Sequence, residues 1–175
     1  MRSTGTARAR WCAACLFIPV PEPNSVIQGS MVGNTKIIIG IGCDRGASMQ
    51  TLEDALNAAL AAACRTREAI VSLATIDRKR DEPGLVALSG RQGWPLVCYT
   101  AEQLARVKVP NPSETVRRHM GTPAVSEAAA LLAAGGALEH LLLEKYKFRG
   151  GDGKNVTVSI AALPEDKKRT FRISG

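Results

Sequence analysis

The chain reads as an α/β domain built on a largely parallel sheet. Short apolar runs alternate with stretches of helical periodicity, the pattern expected when helices cross over between parallel strands. Capping residues and glycines punctuate the joins between them. A glycine-rich turn, Gly40-Ile-Gly-Cys-Asp-Arg-Gly46, follows the first apolar run and precedes the first helical stretch.

Residues 36–42 predict a buried strand, because Ile37-Ile-Ile39 leaves no polar face. Ser48 is an N-cap, and Leu52, Ala55, Leu56, Ala59, Leu60 and Ala63 then recur at helical spacing. That stripe is mostly alanine, which permits close approach to a sheet. Residues 69–76 predict a second buried strand and residues 95–99 a third. Residues 85–92 between them are helical, begun by Asp81-Glu-Pro83 and ended at Gly93. Thr100-Ala-Glu-Gln103 has the capping-box pattern, and Asn111-Pro-Ser-Glu114 repeats it with proline at the first helical position. Thr122-Pro123 opens a further helix that is apolar nearly all round, hence buried, and stops at Gly135-Gly136. Residues 141–148 and 156–162 read as strands around a turn-rich link, with room for an antiparallel last pair. Residues 166–175 are basic and form either an edge strand or a loose end.

Composition excludes several classes. At 175 residues the chain fits one domain with a substantial core, and with 4% aromatics that core is aliphatic. No apolar run approaches the ~20 residues needed to span a bilayer, so no membrane partner is expected. The net charge of +7 suits nucleic acid, a phosphate or a polycarboxylate. Arg78-Lys-Arg80, Arg117-Arg118 and Lys167-Lys-Arg169 are short scattered clusters with few aromatics for base stacking, which disfavours nucleic acid. The five cysteines, Cys12, Cys15, Cys43, Cys64 and Cys98, do not form a disulfide framework, and a reducing cytoplasm is the expected setting.

Residues 1–35 read as a leader, poorly ordered or belonging to an overlong start with Met31 as initiator, before a single domain over residues 36–175. Residues 1–30 hold three arginines and Glu22, so the remainder still carries +5. Trp11-Cys-Ala-Ala-Cys15 looks like a redox pair, but Pro19, Pro21 and Pro23 deny it the helix that lowers a thiol pKa. As a zinc half-site it has no second pair, and His119 and His140 are isolated. No metal or cofactor is expected.

In an open α/β sheet, ligands bind at the carboxyl ends of the strands. Loops 42–48, 77–83 and 100 onward should share that edge. The spacing Gly40-x-Gly42-x-x-x-Gly46 is neither a dinucleotide fingerprint nor a P-loop. Its glycines still admit a ligand to the backbone, the following helix points N–H groups at it, and Arg45 supplies a planar fork for an anion. A tight turn with a surface arginine is the plainer alternative. Cys43 reads as a small side chain filling the turn rather than a nucleophile, since no base is near in sequence. Asp77-Arg-Lys79-Arg-Asp81-Glu82 places three carboxylates and three cations in six residues, fit either for acid–base work or for self-pairing with a helix cap. The helix starts near Asn111 and Thr122 offer a second layer of anion binding.

Three blocks in order, residues 40–48, residues 74–85 and residues 109–131, together resemble the signature of CobE and the C-terminal domain of CbiG, a family of cobalamin biosynthesis. The resemblance covers about residues 36–162. It implies a three-layer α/β/α domain with a largely parallel or mixed central sheet, acting on the corrin-ring pathway. CbiG opens a lactone on a cobalt-precorrin but has an additional N-terminal domain. With only about thirty-five residues ahead of the motif, this chain is similar to the standalone CobE form. Asp44 departs from the family, which usually has a basic residue there. The implied ligand is a precorrin-like tetrapyrrole fringed with carboxylates, and the implied partners are other enzymes of the pathway. On this reading Gly40, Gly42, Cys43, Arg45, Gly46, Lys79, Asn111, Ser113 and Thr122 bind substrate. Asp77 and Glu82 are the acid–base candidates, for lactone hydrolysis or for none if the protein is a carrier.

Overall fold

A computed structural model describes residues 35–113, 118, 121–122 and 124–164. Their centre is β1 (Ile37–Cys43), which pairs in parallel with β2 (Ile70–Ile76) on one side and antiparallel with β5 (Asn155–Ala162) on the other. β3 (Leu96–Tyr99) continues the parallel half beyond β2, and β4 (Leu141–Arg149) pairs antiparallel with β5. The sheet order is therefore β3-β2-β1-β5-β4, five strands with a mixed pattern. The last two strands do form the antiparallel pair that their turn-rich link predicted. Their hairpin docks on β1, which places β1 at the centre of the sheet.

Both faces of β1 are buried, which explains its unbroken apolar run. Ile37, Ile39 and Ile41 pack toward α1 (Met49–Ala62) and α2 (Pro83–Gln92), with Leu52, Leu56, Leu85 and Leu88 closing that layer. Ile38 faces the other layer, where α4 (Ser126–Ala134) supplies alanines and Leu131, and α3 (Ala101–Ala105) supplies Leu104. The molecule is thus three-layered, helices on both faces of one sheet.

Local chemistry sets the element ends. Ser48 Oγ accepts the Thr51 N–H and starts α1. Thr100 and Gln103 complete the capping box of α3. Gly93 ends α2 in the left-handed region (φ 68°). The helix expected from Thr122-Pro123 begins only at Ser126. Thr122 Oγ1 donates to the Ala124 carbonyl, so a side-chain turn competes with helix there. Glu114 of the expected helix start at residues 111–114, the leader of residues 1–35 apart from Thr35, His119 and the basic segment 166–175 lie outside the described residues.

β4 departs from the plain strand its sequence predicts. Its pairing shifts register between Leu143 and Tyr146, and Lys145 sits at φ 31°. Such a bulge re-aims a side chain, and a left-handed non-glycine residue stores about 1–2 kcal/mol.

Gly40 is where the sheet and α4 come closest. A Cβ built there would lie 1.9 Å from the Ser126 carbonyl oxygen and 2.9 Å from Ala130 Cβ. At Gly42 the nearest atom would be Val125 Cβ at 3.8 Å, ordinary contact. Gly40→Ala should therefore cost about 2 kcal/mol or more by overpacking, and Gly42→Ala well under about 1 kcal/mol. Urea denaturation of the two variants checks this, and equal midpoints would refute it.

Candidate functional site

The carboxyl ends of β1 and β2 bring the predicted loops together around Glu82. Its side chain is 1% exposed and its Oε1 accepts the Gly46 N–H at 2.7 Å. Its Oε2 lies 3.6 Å from Lys79 Nζ, itself 4% exposed, and 3.7 Å from Arg45 Nη1. Glu82 occupies the N-cap position of α2, yet its carboxylate makes no cap bond and bridges to the neighbouring loop instead. Gly46 can present its N–H there because its left-handed backbone (φ 72°) suits glycine.

Arg45 is different. Its side chain is 62% exposed, and it donates from Nη1 to Asp81 Oδ1 at 3.1 Å and from Nη2 to the Arg78 carbonyl at 2.6 Å. Asp81 is 76% exposed, and Arg45 holds its carboxyl below the usual range. An exposed pair of this kind contributes only about 0–1 kcal/mol, so an incoming anion can replace Asp81. A hollow of about 340 Å³ opens beside these residues, lined by Gly46, Ser48 and Met49 at the start of α1 and by Glu82, Pro83 and Gly84 at the start of α2.

Other parts of the turn are already occupied. Asp152, in the β4–β5 hairpin, accepts the Ser48 N–H at 3.0 Å and the Lys154 N–H at 3.0 Å. Those two bonds hold its carboxyl far below the ordinary range. One of the N–H groups ahead of α1 is therefore supplied with an internal carboxylate. Asp44 accepts from both the backbone and the side-chain amide of Asn155 at 2.8 Å, fastening the start of β5 to the end of β1. That bond gives the acidic residue at position 44 a structural task. Burial pushes the Cys43 thiol up to about 11, against the pull of Lys79, so it stays protonated at neutral pH. Gly40 faces Ser126, so its space is taken by packing. Asp77 opens a short turn after β2, and its carboxylate has no hydrogen bond or ion pair among the described residues.

Asn111 joins a second polar cluster, on β4 and α4. Asn111 Nδ2 donates to Glu144 Oε1 at 2.6 Å, and Lys145 Nζ donates to the Asn111 carbonyl. Thr122 is buried and spends its hydroxyl on Ala124. Ser113 is half-buried beside this segment in sequence. At the centre is Glu127, fully enclosed in the first turn of α4, with Lys145 Nζ 3.4 Å from its Oε2. Neither of its oxygens is in a well-formed hydrogen bond. Burial pushes Glu127 up to about 7, with Lys145 pulling it down and Glu144 adding to the rise. Sequence reading passed over this group. The available signal was a lone carboxylate in an otherwise apolar helix, where an ionised side chain is costly. Val125 joins the clusters by packing at Gly42. Among the described residues no group of three or more His, Cys, Asp or Glu could hold a metal ion, and no helix is long and apolar enough to cross a membrane.

Two outcomes are expected. Lys79→Ala leaves Glu82 buried without its enclosed partner and should cost about 3 kcal/mol in urea denaturation, with partial recovery in Lys79→Met/Glu82→Gln. A midpoint unchanged from wild type would show that the pair is not a latch. Glu127 titrates in the folded protein above its ordinary value of 4.5. Its contribution to stability is therefore fully present below about pH 4.5 and lost as pH rises to about 7, on the order of 3 kcal/mol in all. Glu127→Gln should remove that fall, read as the difference between wild-type and variant melting curves from pH 4.5 to 8.

The model of the cobalamin synthesis G C-terminus family matches residues 37–161. A cobalt-precorrin-5A hydrolase of Priestia megaterium is 33% identical over 146 residues, which is 83% of this chain and 37% of that protein. The protein CobE of a Sinorhizobium species is 30% identical over 101 residues, covering 57% of this chain and 66% of its own length. The crystal structure of a CobE, described as a protein from the cobalamin biosynthetic pathway, superposes with a TM-score of 0.61 at 30% identity, covering 84% of this chain and 96% of that one. This chain spans little more than a third of the hydrolase it matches and nearly all of the CobE structure. The three layers, the mixed sheet and the match over residues 37–161 lead to one conclusion: the chain belongs to the cobalamin synthesis G C-terminus family.

Proposed function

We propose that this protein serves cobalamin biosynthesis by binding a precorrin-type intermediate through the carboxylates on its rim. The observation that carries this reading is Arg45, an exposed guanidinium beside two helix starts whose hydrogen bonds go to an exposed carboxylate and a carbonyl, with the buried Glu82 at 3.7 Å. A ligand carboxylate can take the place of Asp81 and form a bidentate pair. Gly42 and Gly46 let the ligand approach the backbone, and Lys79 acts from behind by holding Glu82 in place. Cys43 lines the base of the turn. Asn111, Ser113 and Thr122 form the second layer, toward the Glu127 cluster.

Binding without turnover is the leading form of this proposal. Glu82 is enclosed, with Oε1 bonded to the Gly46 N–H and Oε2 at ion-pair distance from Lys79 and Arg45, and Cys43 keeps its proton, so two of the reactive side chains at this edge are held back. Asp77 supports a second reading, hydrolysis of a lactone, because its carboxylate has no partner among the described residues and could activate water.

Mixing the purified protein with purified precorrin intermediates tests both readings. Absorption, co-elution and product mass are followed together. A stoichiometric coloured complex of unchanged mass supports the carrier, and a mass change with turnover supports the hydrolase. No complex with any intermediate sinks the proposal. Arg45→Ala should weaken binding roughly tenfold, the loss of one charge-assisted contact, and Asp81→Asn should tighten it severalfold by releasing Arg45.

A further inference from the structure

A separate cavity of about 640 Å³ lies on the α4 side of the sheet, next to the edge strand β3. It falls within the ~300–1,000 Å³ usual for small-molecule sites. Its walls are the ring of Tyr99, Val107, Leu132 and Leu138, the last 47% exposed despite its size. Its polar lining consists of donors. Arg106 and Lys108 are exposed and form no ion pair among the described residues. Gln103 uses its side-chain oxygen to accept the Thr100 N–H, which leaves its amide N–H groups for a ligand. Among the described residues no aspartate or glutamate lines the cavity.

Arg80, Lys147 and Arg149 are also exposed without an ion pair among the described residues, but Arg106 and Lys108 are the ones that line this apolar cavity. Arg45, Arg67, Arg91 and Lys145 each stand within 4 Å of an internal carboxylate. Two unpaired cations over an apolar, aromatic-walled cavity are complementary to a flat apolar body with carboxylates at its edge. An acidic helix of another protein would satisfy the charges, but a flat ligand can also stack on Tyr99 and cover Val107, Leu132 and Leu138.

We infer that this cavity is a macrocycle seat: it receives one apolar face of a carboxylated tetrapyrrole, with Arg106 and Lys108 neutralising the peripheral carboxylates. The inference rests on the proposed function for its ligand class and assigns a place to the ring, which the Arg45 edge does not.

The test uses the full chain and uroporphyrin I, an octacarboxylate, as probe, with binding read from the shift of its main absorption band. The cationic porphyrin tetrakis(N-methylpyridyl)porphyrin serves as the charge control. Wild-type protein should bind uroporphyrin and reject the cationic ring. Arg106→Glu/Lys108→Glu should weaken binding at least tenfold without changing the melting curve, since both side chains are exposed. Tyr99→Ala should weaken it also. Unchanged affinity in the double variant, or equal binding of the cationic ring, overturns the macrocycle seat while leaving the Arg45 proposal standing. Absence of both uroporphyrin and precorrin binding in wild type removes the two together.

Discussion

One enclosed carboxylate organises the edge where the carboxyl ends of β1 and β2 meet. Glu82 joins the end of β1 to the end of β2 through the Gly46 N–H, and its charge is answered by Lys79 from its own turn and Arg45 from the facing loop. Because the pair with Lys79 is almost free of water, losing either member would strand a charge in a poorly polarisable place. The arrangement therefore fixes loop geometry more than it adds net stability. Arg45 and the starts of α1 and α2 gather around that anchor.

The same economy recurs across the fold. Carboxylates that look like site residues in a linear reading hold neighbouring elements in register: Asp152 ties the hairpin to α1, and Asp44 ties β5 to β1. Among the described cations, Arg45, Arg67, Lys79, Arg91 and Lys145 stand against internal carboxylates. The exposed Arg45 and the unpaired Arg106 and Lys108 are thus more informative than the +7 total.

The Glu127 cluster follows a different logic. A bulge in β4 turns Lys145 toward a carboxyl buried in an alanine-rich helix, and the left-handed backbone at Lys145 is the cost of that turn. Gly40 and the alanines of α4 bring the helix close to the sheet, so the carboxyl has no water to retreat to. Close packing and a displaced proton equilibrium are here the same fact.

The sequence by itself determined the layers. Apolar runs, alanine stripes and caps at Ser48, Thr100 and Gly93 are local signals, and local hydrogen bonding and burial obey them. It also placed Gly46, Arg45, Lys79 and Glu82 in neighbouring loops, because parallel strands bring their carboxyl ends to one edge. Tertiary structure alone decided what those groups do. Whether a carboxylate is a base, a latch or a cap depends on which distant N–H or ammonium it meets. Glu82 meets Gly46 across 36 positions and Asp152 meets Ser48 across 104, separations at which no local pattern reports a contact.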